Sequence, residues 1–231
     1  MGETIRIVLG DGFEMDAYHA PPVGERRGGL VLVQEIFGVT DHIRELCDEY
    51  AAAGYEVLGP ALFDRIECGI ELGYTGADWE RAVHIAREQH DWDQGMADAQ
   101  ACVDWLAAPK GQMGGGPVFA VGYCFGGSVA WRLAQTSPNL AAASCYYGGF
   151  IATRFADEAP LCAAICHFGR YDKLVDFAPV EALIAQDHPT AQVFVYEAGH
   201  GFNSDRRKDY DPASAELARE RTLMLFKACG A

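Results

Sequence analysis

The chain has 231 residues, half of them hydrophobic, and a formal net charge of −15. That is enough apolar material for one globular domain over residues 1–231, and charged residues mixed among apolar ones throughout argue against disorder. An acidic surface of this size repels nucleic acid and anionic membranes, so neither is an expected partner. No basic segment followed by an apolar run opens the sequence, and no apolar stretch is long enough to cross a bilayer, so a cytoplasmic location is expected.

The elements alternate along the chain. TIRIVL and MDAYHA flank a GDG turn and read as an N-terminal hairpin. GLVLVQE is a continuous apolar run, the pattern of a strand buried on both faces. Residues 41–53 carry apolar positions at helical spacing and end at Gly54; YEVLGP then reads as a strand. Residues 60–92 are the least regular part, an excursion with a helix over one face of the sheet, and DWDQGMADAQACVDWLAA continues as helix.

After the glycine-rich turn GQMGGGP come the strand PVFAVGYC and the helix FGGSVAWRLAQ. AAASCYYGG and LCAAICHFG are strands, VDFAPVEALIAQD is helical with a break or a start at Pro179, and AQVFVYEAGH is the last strand. A C-terminal amphipathic helix carries Pro212 in its first turn. This alternation predicts an α/β fold: a mostly parallel sheet of about eight strands with helices on both faces, whose sites form at the C-terminal ends of strands.

Eight cysteines stand at 47, 68, 102, 124, 145, 162, 166 and 229. A chain this large does not need disulfide staples, and no cysteine spacing matches a zinc site, so no metal is expected. Seven of the eight read as small buried apolar side chains, with Cys162 and Cys166 on the same face of one strand.

The eighth is different. Gly122-Tyr123-Cys124-Phe125-Gly126-Gly127 sits where an apolar strand gives way to a helix. A nucleophile elbow needs small residues two before and two after the nucleophile, because the turn is tight. Serine is usual there; here it is cysteine, and a helix N-terminus aimed at the sulfur favours thiolate. Asp172 and His200 each follow a predicted strand, and nucleophile, acid, base is the α/β-hydrolase chain order. Singly, His200 reads as a loop residue and Asp172 as a helix cap; together they read as a triad. Glu35 closes the strand GLVLVQE, where a carboxylate needs a partner, either in a structural salt bridge or helix cap or beside the thiol at the mouth of the site. In this fold, oxyanion donors come from the N–H of the residue after the nucleophile, Phe125, and from the loop after an early strand, Ile36.

The stretches QEIFG, GYCFGG, HFG-x-x-D and AGHGF and the YDP…ERTL tail resemble the dienelactone hydrolase family, from about residue 3 to residue 228. The resemblance implies an α/β-hydrolase with Cys124, Asp172 and His200 as triad. It also implies Glu35 as the family glutamate that contacts the cysteine and moves on substrate binding. The implied reaction is hydrolysis of a dienelactone-type butenolide to maleylacetate, with no cofactor and a small lactone or ester as partner. Family arginines hold a substrate carboxylate. Arg81 matches the first, and Arg206 or Arg207 the second, out of clean register; all read equally as solvated surface charge. His84 and Arg87 stand where the family pocket has larger aromatics. The other function classes left open are a non-catalytic binding protein on the same fold and a thiol redox sensor.

Overall fold

The computed structural model describes residues 1–108 and 115–231. Most of the expected glycine-rich turn at 111–117 lies outside the described residues. Eight strands are ordered β1-β2-β4-β3-β5-β6-β7-β8. The chain falls into two compact units, residues 1–119 and 120–231.

In the first unit, β1 (Glu3–Val8) and β2 (Glu14–Ala20) form the antiparallel hairpin, with Glu3 opposite His19. β2 pairs antiparallel with β4 (Tyr55–Pro60), and β4 pairs parallel with β3 (Gly28–Val33), Leu30 beside Val57. Every residue of β3 and β4 is buried, as the continuous apolar runs predict. α1 (Asp41–Ala52) and α3 (Trp92–Ala107) cover opposite faces. The hydroxyl of Tyr18 donates to Asp48 of α1, whereas the ring of the next residue, His19, meets Trp105 of α3 edge-on at 5.4 Å. Successive strand residues point to opposite sides, so the two helices flank the sheet. Between them in the chain comes α2 (Gly76–His84), which runs into a π-helical turn, Ile85–Gln89, closed by His90 N–H donating to the Ile85 carbonyl at 2.9 Å.

In the second unit, β6 (Ala142–Tyr146), β7 (Ala163–Gly169) and β8 (Ala191–Tyr196) pair in parallel, following β5 (Val118–Tyr123) in the strand order. α4 (Phe125–Thr136) and α6 (Pro212–Ala228) pack on β6 and β7. α5 (Phe177–Gln186) starts before Pro179, which occupies the first turn, where its missing N–H costs nothing. Its N-cap is Asp176, whose carboxylate accepts from Ala178 N–H.

Three expectations need correction. β3 stops at Val33, so Gln34 and Glu35 lie beyond the strand. β7 begins at Ala163, so Cys162 precedes the strand that carries Cys166. Of the seven cysteines read as buried, only Cys47, Cys102, Cys145 and Cys166 are; Cys68 is exposed, and Cys162 and Cys229 are partly so. Composition cannot reveal this, because a thiol is small enough to be tolerated on either side of a surface. Among the described residues no helix is long and apolar enough to cross a membrane.

Candidate active site

One residue joins β5 to α4. Cys124 has φ 55° and ψ −114°, a region that costs a non-glycine residue about 1–3 kcal/mol. Its surroundings hold it there. Cys124 N–H donates to the Tyr146 carbonyl at 3.0 Å, and the Cys124 carbonyl accepts from Gly127 N–H at 3.0 Å. A Cβ on Gly122 would overlap the Gly126 carbonyl, and one on Gly127 would overlap the Tyr146 carbonyl. The two glycines are therefore required by close backbone approach; Gly122 is one of the small residues the elbow pattern asks for, and Gly127 lies one residue beyond the other.

Asp172 lies three residues beyond β7. Its Oδ1 accepts from Leu174 N–H at 2.7 Å and Val175 N–H at 3.0 Å, which locks the carboxylate. The other oxygen, Oδ2, is 2.7 Å from His200 Nδ1. A carboxylate can only accept, so Nδ1 carries the proton and Nε2 is left to face the sulfur. His200 Nε2 is 3.1 Å from Cys124 Sγ. The three residues are thus brought into one hydrogen-bonded line.

The electrostatics follow from that line. The His200 and Asp172 side chains are only 5% and 2% exposed. Burial disfavours charge on the imidazole, but negative charge on Cys124 and the hydrogen bond that Nδ1–H donates to Asp172 outweigh it and hold the His200 pKa up at about 10. The arrangement can therefore hold an imidazolium beside the sulfur, and Cys124 is partly exposed. Phe125 opens α4, so its N–H belongs to the helix start, where backbone donors point outward.

Sequence reasoning missed Tyr147. It is buried, has φ 38°, and sets its ring 5.0 Å from that of His200. The only signal was its place before two glycines, at the end of the expected strand AAASCYYGG. Glu35 is 2% exposed, just past β3, and Ile36 follows it. Arg81 on α2 pairs with Glu67 at 2.6 Å, and Arg206 pairs with Asp205 at 2.5 Å; both arginines are exposed.

The dienelactone hydrolase family model matches residues 15–230. "Putative carboxymethylenebutenolidase" of Escherichia coli (strain K12) is 30% identical over 238 residues, covering 95% of this chain and 84% of that protein. "Carboxymethylenebutenolidase 1" of Cupriavidus pinatubonensis is 28% identical over 233 residues, covering 98% and 97%. A Klebsiella pneumoniae protein solved as a "Putative Dienelactone Hydrolase" superposes with a TM-score of 0.84 at 28% identity, over 98% of each chain.

Proposed function

Because the chain belongs to the dienelactone hydrolase family and is a hydrolase, we propose that it opens a dienelactone-type butenolide to maleylacetate, or cleaves a related small ester, with Cys124 as nucleophile. The observation that carries this is His200 standing between Cys124 and Asp172, 3.1 Å from the sulfur and 2.7 Å from the carboxylate.

The thiolate attacks the lactone carbonyl carbon, and the carbonyl π electrons move onto oxygen. Phe125 N–H stabilises that oxyanion. Collapse re-forms the carbonyl and breaks the ring C–O bond; the electron pair leaves on the enol oxygen, which takes a proton from His200. Water, deprotonated by His200, then attacks the thioester and releases the acid, returning the sulfur as thiolate.

Roles for Glu35 and for the Ile36 N–H rest on the family resemblance alone. The pH dependence of Cys124 alkylation in substrate-free Glu35→Gln tests the first: a titration identical to wild type removes Glu35 from the thiol's surroundings. An anionic substrate rests on Arg81 and Arg206. Replacing either should raise KM for anionic lactones more than for neutral esters, since only the anion loses a charged partner. Equal effects on both would point to a neutral substrate.

The experiment for the reading as a whole is a panel of lactones and short chromogenic esters assayed before and after thiol alkylation. Hydrolysis that survives alkylation of Cys124 overturns it.

A further inference from the structure

Four elements of the second unit meet in a buried polar cluster that the mechanism does not use. His167 on β7 is fully buried, with Nδ1 2.8 Å from the Tyr196 hydroxyl on β8 and Nε2 3.1 Å from Ser144 Oγ on β6. Ser144 Oγ is 2.7 Å from Thr222 Oγ1 on α6, and the Tyr146 hydroxyl is 2.9 Å from the same oxygen. Arg221, one residue earlier on α6, donates to the Tyr196 hydroxyl at 3.0 Å and lies over the Phe194 ring at 4.1 Å.

The donors and acceptors allow one consistent direction. A guanidinium only donates, so the Tyr196 oxygen accepts from Arg221; the Ala218 carbonyl only accepts and takes the one Thr222 proton, which, traced back through Ser144 and Nε2, leaves His167 Nδ1 to accept from Tyr196. His167 Nε2 then carries the hydrogen and donates to Ser144. Ser144 donates to Thr222, and Thr222 donates to the Ala218 carbonyl at 2.9 Å. Tyr146 donates to Thr222 as well. Burial pulls the His167 pKa down to about 3, so the ring is neutral, as this scheme requires. Every hydroxyl in the chain has a use, which makes the cluster rigid rather than costly.

The same residues hold the three triad-bearing segments by their backbones. The Tyr146 carbonyl accepts from Cys124 N–H at 3.0 Å. The His167 carbonyl accepts from Tyr147 N–H at 2.8 Å, and Tyr147 sets its ring against His200. The Tyr196 carbonyl accepts from Arg170 N–H at 2.8 Å, two residues before Asp172, and Tyr196 itself stands four residues before His200.

We propose that the chain Arg221–Tyr196–His167–Ser144–Thr222 is a positioning network that fixes the strand ends bearing Cys124, Asp172 and His200 in their working geometry. The proposal rests on the triad reading above and adds residues that touch no substrate.

Tyr196→Phe removes one hydroxyl and keeps the ring. It should stay folded by circular dichroism, lose about tenfold in kcat on a chromogenic ester with KM unchanged, and shift iodoacetamide alkylation of Cys124 to higher pH, because a loosened His200–Asp172 pair supports the imidazolium less well. Thr222→Val, at the other end, should move both readouts the same way and decides the matter if Tyr196→Phe does not fold. His167→Gln, which keeps an acceptor and a donor, should recover more kcat than His167→Leu. A folded Tyr196→Phe or Thr222→Val with wild-type kcat and an unmoved alkylation profile overturns the network. The alkylation profile needs no substrate, and Cys124→Ala reports separately on the triad: if it stays hydrolytic, the triad reading has failed, whatever the network variants do.

Discussion

His200 Nε2 lies 3.1 Å from Cys124 Sγ, close enough for the proton of the pair to be shared between ring and sulfur. Below neutral pH, iodoacetamide should therefore label Cys124 faster than the exposed Cys68, and far ahead of buried Cys47, Cys102, Cys145 and Cys166. His200→Ala should erase the lead over Cys68. Peptide mapping after a timed pulse measures it; equal rates for Cys124 and Cys68 in wild type mean that the sulfur is not activated.

Cys124→Ala should abolish hydrolysis without unfolding the protein, since alanine removes only the sulfur from the elbow. Cys124→Ser should keep little turnover, because a hydroxyl needs stronger base help during attack than a thiol does. Wild-type kcat in the serine form would rule out the thiol chemistry.

Asp172→Asn should cut kcat by about 10²–10⁴, because an amide can no longer hold His200 in the correct tautomer. It should also alter stability against pH. The folded-state pKa of His200, about 10, lies above its unfolded value of 6.5. Its contribution is thus complete below about pH 6.5 and is lost as pH rises through about 10. Melting temperatures across that window should fall less steeply in Asp172→Asn than in wild type; parallel curves count against the raised His200 pKa.

Acid acts through other histidines. Burial lowers the pKa of His167 to about 3 and that of His90 to about 4. Both stay neutral in the fold while the unfolded chain takes up protons, so their contribution is complete above about pH 6.5 and drains away as pH falls toward 4 and then 3. Denaturant melts at pH 7 and pH 4.5 should show a smaller acid loss for His167→Gln than for wild type. An unchanged loss assigns acid lability elsewhere.

Gly122→Ala and Gly127→Ala should each destabilise by about 1–3 kcal/mol and reduce activity out of proportion to the folded fraction, since the added Cβ meets backbone that cannot step aside. Retention of wild-type kcat in either would mean that the elbow has more room than the backbone contacts imply.

Much of this could be read from the sequence. The elbow was legible at Gly122, where close backbone approach admits only glycine; Gly127, three past Cys124, meets the same demand at the Tyr146 carbonyl, which the rule of two before and two after did not name. Strands β3 to β8 were legible as apolar runs, and Asp172 and His200 because each follows one. Where pairing stops was not legible: Val33 and Tyr196 end their strands before Glu35 and His200, and an apolar run carries no mark of its last ladder bond. The exposure of Cys68, the Tyr147 ring on His200 and the His167 cluster were decided by tertiary structure alone. Periodicity records which face of an element avoids water. Which hydroxyl meets which imidazole depends on strands and helices far apart in the chain arriving together, and desolvation then makes those meetings obligatory.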